Sequence, residues 1–213
     1  MDTSFLDSYC ERVGDASLFA EPLNTVTNLA FMIAAFLAAQ KLRDASSRHA
    51  PDAFFLCMVL FLIGIGSGVW HIYPTATTIM LDVIPITAFI NVYLAMFLWR
   101  GFQWRWWEVV LGMSILQGMN ILAGIWFSPD TLHGTIMYLP TYVMLIGLVG
   151  YAYIRKEWFA GTLAIITALW TVSLIFRTID IPSCNQFSIG THFLWHLFNA
   201  VVLYKLLILL VRL

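Results

Sequence analysis

Seven apolar stretches, each long enough to cross a bilayer and separated by short polar turns, constrain this chain more than any other feature. They run at roughly 22–41, 53–72, 77–99, 107–127, 132–153, 158–177 and 189–211. A helix needs about 20 apolar residues to cross the hydrocarbon, whereas a barrel strand needs about ten and alternates polar with apolar. The lengths therefore predict an all-α integral membrane protein, a seven-transmembrane helix bundle. Composition agrees: 61% of the 213 residues are hydrophobic and 11% charged, and the mean hydropathy of +0.83 lies outside the range of ordinary soluble domains. No repeat or low-complexity linker interrupts the pattern, so one membrane domain is expected over 1–213, with 1–21 as an outer N-terminal loop. The opening residues, MDTSFLDSYCERVGDAS, have neither the basic start nor the apolar core of a signal peptide. Pro85 and Pro140 fall inside spans and predict kinks. A net charge of −1 argues against nucleic acid as a partner.

Basic residues predict the orientation. Lys41, Arg43 and Arg48 lie in the first loop, Arg100 and Arg105 in the third, Arg155 and Lys156 in the fifth, and Arg212 at the end. The other side holds Arg12 and Arg177 near the span ends. The positive-inside rule then puts the N-terminus outside and the C-terminus in the cytosol, as an odd number of spans requires. The tryptophans at 99–107 read as an interfacial belt on the cytosolic side.

Within this apolar frame a few polar residues stand out. His192 and His196 are four apart in the last span, so their rings share one helix face about 6 Å apart along the axis. That spacing suits two ligands of one metal ion, and equally two interior histidines that each hydrogen-bond a neighbour. The second span ends GIGSGVWHIYP, with Ser67 and His71 one turn apart, and Asp82 follows eleven residues after His71 in the third span. A carboxylate there costs about 2.5–3.5 kcal/mol on insertion scales, so it needs a partner, either as a structural tie between helices or as part of a site. Topology places His71 at the outer end of an outgoing helix, and Asp82, His192 and His196 near the outer starts of inward-running ones. All four then lie in the non-cytosolic leaflet at similar depth. Three neutral histidines with one open position match a catalytic zinc site. Zinc lowers the pKa of bound water to about 7; beside it Asp82 would move a proton and Ser67 would donate to a developing oxyanion. His49 falls on the cytosolic side, and His133, at the outer start of the fifth span, reads as interfacial.

The set Ser67-x₃-His71, Asp82 and His192-x₃-His196 resembles the signature of the CREST superfamily of seven-span membrane hydrolases, and most closely the alkaline ceramidases. SYCE at 8–11, AEPLNTVTNL at 20–29, RTIDIPSC at 177–184 and HFLWH at 192–196 resemble further motifs of that family in the same order, across nearly the whole chain. The resemblance implies zinc held by His71, His192 and His196, with Ser67 and Asp82 as the catalytic pair. It also implies hydrolysis of the ceramide amide to a sphingoid base and a fatty acid, the lipid entering sideways from the bilayer.

The family further implies a calcium-binding loop near the zinc. Glu11 and Glu21 match two of its carboxylates and the Tyr9 carbonyl would join them. The family's first Asp, however, falls on Ser8, with Asp7 or Asp15 as the substitutes on offer, and the spacing from Cys10 to Glu21 is one residue shorter. The alternative is an acidic solvated loop with Glu21 anchoring the first helix. Cys10 and Cys184 match paired positions of the family, implying a disulfide on the oxidising side, while Cys57 lies in a span as packing. Arg177 and Asp180 read as a local ion pair or, alternatively, as a substrate-headgroup contact. Two other functions stay open: a related hydrolase acting on another lipid bond such as a phospholipid ester, and a non-enzymatic lipid sensor or receptor with structural zinc. A transporter fits less well, since there is no duplication and no polar path to the cytosolic face.

Overall fold

A computed structural model describes residue 5, residues 7–44 and residues 50–213. Arg48 and His49, both read as cytosolic, lie outside the described residues. The chain order is α1 (Pro22–Thr27), α2 (Leu29–Asp44), α3 (Ala50–Ile72), α4 (Ala76–Gly101), α5 (Trp106–Trp126), α6 (Leu139–Ile154), α7 (Ala160–Thr178), α8 (Asp180–Ser183) and α9 (His192–Arg212). No strand occurs among the described residues. Among the described residues seven segments are long and apolar enough to cross a membrane, from Pro22–Arg43 to His192–Arg212, and they match the seven stretches read from the sequence to within a few residues.

The helices form because their apolar side chains have somewhere to go on both sides. Inward, Phe31, Leu60, Leu98, Leu163 and Leu207 are fully buried. Outward, Ile84, Ile121, Ile125, Ile154 and Ile165 are exposed, as lipid-facing positions should be. α3 packs between α2 and α4, while α9 packs against α7, α2 and α3. Trp99, Trp106, Trp107, Trp126 and Trp158 are exposed near helix ends, where an indole can meet both headgroups and hydrocarbon. At the basic end, Arg100 pairs with Asp52 and joins α4 to α3.

Two local features depart from simple spans. The first span breaks at Asn28, whose N–H turns back to Thr25 O at 3.3 Å and whose Nδ2 donates to Asn24 O at 2.7 Å. α1 is thereby a separate short helix. Pro140, read as a kink within a span, is the second residue of α6 and follows a 3-10 turn at Thr135–Tyr138. There its missing N–H belongs to the unsatisfied first turn, so it begins a helix and does not bend one. Pro85 does lie inside α4.

α3 and α4 touch backbone to backbone at Gly66. A Cβ on that residue would lie 1.9 Å from Leu81 O, so only glycine allows the approach. The contact matters because Ser67 and Asp82 are the next residues along the two helices. Gly66→Ala should lower stability by about 1–3 kcal/mol through overpacking, read as a lower thermal unfolding midpoint in detergent; an unchanged midpoint would mean the helices are not held this close.

Candidate metal centre

At the end of the bundle opposite the basic loops, polar residues are buried together: Arg12, Glu21, Asn24, Asn28, Ser67, His71, Asp180, His192 and His196. His71 comes from the last turn of α3, and His192 and His196 from the first two turns of α9. Their candidate ligand atoms all lie within 4.8 Å of one another. The ring centroids are 5.3 Å apart for His71–His192, 4.9 Å for His71–His196 and 4.7 Å for His192–His196. The rings are 1%, 1% and 0% exposed for His71, His192 and His196.

The protons on two of these rings can be assigned. Thr27 Oγ1 donates to Leu23 O at 2.7 Å, so toward His196 Nδ1, 2.9 Å away, it acts as acceptor. His196 then carries its proton on Nδ1, and Nε2 keeps its lone pair with no hydrogen-bond partner. His71 Nδ1 lies 2.6 Å from Glu21 Oε2, which likewise places a proton on Nδ1 and leaves Nε2 as donor of a lone pair. A carboxylate or hydroxyl behind the imidazole is the usual support of a metal-ligating histidine. His192 has no partner at either ring nitrogen. Leaving such buried groups unsatisfied costs about 1–3 kcal/mol each. Three buried, neutral-capable imidazoles with lone pairs unspent are a donor set that fits zinc.

α9 starts where it does because of Asp180. Its Oδ1 accepts from Thr191 N at 2.6 Å and His192 N at 2.8 Å, satisfying N–H groups that the helix itself leaves open. Its Oδ2 accepts from Cys10 N at 2.9 Å. Gly190, at φ +61, lets the loop pass: a Cβ there would fall 2.1 Å from Asp180 Oδ1. Asp180 therefore caps a helix, and the ion pair expected with Arg177 is not formed among the described residues. Arg177 instead places its guanidinium carbon 5.5 Å from the Tyr138 ring and 5.1 Å from the Trp195 ring. Cys10 and Cys184 form a disulfide, and Cys57 is buried and free.

Ser67 Oγ and Asp82 Oδ1 are buried with no hydrogen-bond partner. His71, Arg177 and Ser67 are the groups near enough to act on the Asp82 carboxylate. Below the histidines an apolar cavity runs between the helices, lined by Ile63, Phe89, Tyr138, Trp170, Asn199 and Val202 among others. His133 is exposed and outside the histidine group.

The groups assigned to calcium are engaged elsewhere. Both Glu11 oxygens serve the first turn of α1, accepting from Leu23 N at 2.8 Å and Asn24 N at 2.9 Å. The Tyr9 carbonyl accepts from Arg12 N at 3.1 Å, while the Tyr9 ring lies 4.8 Å from the His71 ring and 4.2 Å from the His192 ring. Glu21 Oε1 is 2.6 Å from Arg12 Nε, and Oε2 accepts from Asn24 Nδ2 at 3.0 Å in addition to His71. These oxygens do not fit a hard cation as they stand. Burial alone would push the Glu21 carboxyl up, but His71, Arg12 and Asn24 outweigh it and hold the group below the usual carboxylate range. Burial pushes Glu11 up, against the two N–H groups it accepts.

The structure brings together the three histidines that the sequence singled out, with Ser67 and Asp82 beside them; the sequence reading missed the supports: Glu21 behind His71, Thr27 behind His196 and Asp180 under α9. Thr27 and Glu21 both occur in AEPLNTVTNL, so the segment carried a signal; its partners, 50 and 169 positions away, did not. The ceramidase family model matches residues 2–213 of the chain. No curated protein and no solved structure matches it.

Glu21→Gln should weaken zinc affinity by about 10–100-fold, the usual effect of losing a support behind a metal-ligating histidine, measured by competition with a chromogenic chelator. Equal affinity in the variant would mean that Glu21 does not orient His71 for a metal.

Proposed function

The chain belongs to the ceramidase family, and from that membership we propose that it is a zinc-dependent amide hydrolase, cleaving ceramide to a sphingoid base and a fatty acid. The observation that carries the reading is the trio of buried imidazoles whose candidate ligand atoms lie within 4.8 Å of one another, beside the buried Ser67 hydroxyl and Asp82 carboxylate. His71, His192 and His196 would hold the metal. Zinc, when bound, supplies Lewis acidity that activates water and polarises a carbonyl.

The chain's own groups supply the rest. Glu21 and Thr27 fix two of the rings through their Nδ1 atoms. Asp82 takes a proton from the attacking water at a carboxylate oxygen and delivers it to the amine nitrogen as the C–N bond breaks. The Ser67 hydroxyl donates to the carbonyl oxygen as negative charge gathers there. The apolar cavity beneath suits a hydrocarbon tail, with the amide drawn up to the polar end. A two-chain lipid reaches such a site from the bilayer, between helices.

Seven spans make this a multi-pass membrane protein. We place the metal centre in the non-cytosolic leaflet, with the N-terminus outside and the C-terminus in the cytosol. The loop cations at the opposite end support this, as does the disulfide beside the site, which needs an oxidising compartment.

Purified protein incubated with a mixed lipid panel should release fatty acid and sphingoid base from ceramide, read by mass spectrometry. Cleavage of phospholipid with ceramide left intact would assign the same centre to ester hydrolysis instead, and zinc retained without any hydrolysis would favour a sensor. Asp82→Asn should keep its zinc while losing about 10²–10⁴-fold in turnover; unchanged turnover removes its role as proton carrier.

A further inference from the structure

The N-terminal loop gathers oxygens as a hard-cation site does, and a cation belonging to the chain already fills it. One Glu21 carboxylate oxygen and the backbone carbonyls of Asp15, Ser17 and His71 all turn toward one place. Carboxylate and carbonyl oxygens in combination are what calcium prefers. Here Arg12 is among them: Nε is 2.6 Å from Glu21 Oε1, Nη1 donates to Asp15 O at 3.2 Å and Ser17 O at 3.1 Å, and Nη2 donates to His71 O at 2.8 Å. Arg12 is 1% exposed.

The fit has physical reasons. A guanidinium presents donors in a fixed planar fork and stays charged under all ordinary conditions. One edge of the fork meets the last turn of α3, where carbonyls lack helical partners and the helix dipole favours positive charge. A divalent ion entering the same oxygens would have to displace a side chain tethered to the loop and lie beside its positive charge. Of the other described carboxylates of the loop, Glu11 is spent on α1, while Asp7 accepts from Gly14 N at 3.2 Å and Asp15 from Ser17 N at 2.8 Å.

We infer that Arg12 takes the place of a divalent cation in this chain. It clamps the N-terminal loop to α3 and, through Glu21, holds His71 in place, so the protein requires no calcium. The inference rests on the reading of His71 as a metal ligand only for the second of these roles. Arg12 is a positioning residue: it acts on the centre through Glu21 and through the His71 carbonyl, not on substrate.

The test uses the full chain, zinc-loaded in detergent and prepared in calcium-free buffer, then titrated with calcium chloride to millimolar concentration. Equilibrium dialysis should find no saturable calcium, and the thermal midpoint should stay within about a degree, whereas a native-state site at hundredfold excess over its Kd would raise it by several degrees. Saturable binding near one calcium per chain, or such a rise, overturns the inference. In parallel, Arg12→Ala should weaken zinc about tenfold, with Arg12→Lys recovering part of the loss. A folded Arg12→Ala with unchanged zinc affinity overturns the positioning role. If Arg12→Ala does not fold, the calcium titration of the unaltered chain still decides. Neither readout uses substrate, so failure to hydrolyse ceramide would count against the proposed function alone.

Discussion

One carboxylate shared between a guanidinium and an imidazole holds the polar end of this bundle together. Glu21 meets Arg12 through one oxygen and His71 through the other, with all three residues buried. Ions taken out of water cost several kcal/mol each, and breaking such a pair by removing one member leaves an uncompensated charge worth about 3–5 kcal/mol. The arrangement is tolerable because each charge is met: Arg12 by the carboxylate and backbone carbonyls, Glu21 by Arg12, His71 and Asn24. Among the buried atoms that remain unmet are ring nitrogens of His192 and His196, Ser67 Oγ and one Asp82 oxygen, groups that the proposed chemistry uses.

The rest of the fold delivers those groups to one level. Gly66 brings α3 and α4 into backbone contact, which sets Ser67 against Asp82. Asp180 starts α9 one residue before the first of its two histidines, and the same carboxylate catches the Cys10 amide. α1, cut from α2 at Asn28, carries Thr27 to His196. Each tie is local in space and distant in sequence, so the site is assembled from nearly every part of the chain while the helices supply only rigid walls.

That contrast explains what could be read from sequence. Transmembrane spans are written in composition: a window of apolar residues has one low-energy state in lipid, with every backbone group bonded within its own helix. The second span, read as 53–72, is accordingly found at Asp52–Ile72. The histidines were legible because helical spacing fixes which face they share, and topology fixes their depth. Pairings across the bundle leave no such mark. Nothing near Asp180 announces Thr191, and a nearby Arg177 made the wrong partner look natural. Glu21 was noticed, but as an anionic oxygen its sequence neighbourhood could not say whether it faced a metal, a guanidinium or an imidazole. Pro140 misled for a related reason: the sequence locates a proline within an apolar run but not whether a helix begins beside it.

The disulfide has a topological consequence. Joining Cys10 to Cys184, 174 positions apart, it closes the polypeptide into a covalent ring that contains the first six spans, with only α9 hanging from it as a tail. A single cut in any turn between those cysteines would leave one molecule, its backbone merely re-opened at a new place. A cut between 185 and 191 would free the helix that bears two of the three imidazoles. The short segment before α9 is thus the one stretch between spans where backbone continuity alone ties both halves of the histidine cluster to one molecule.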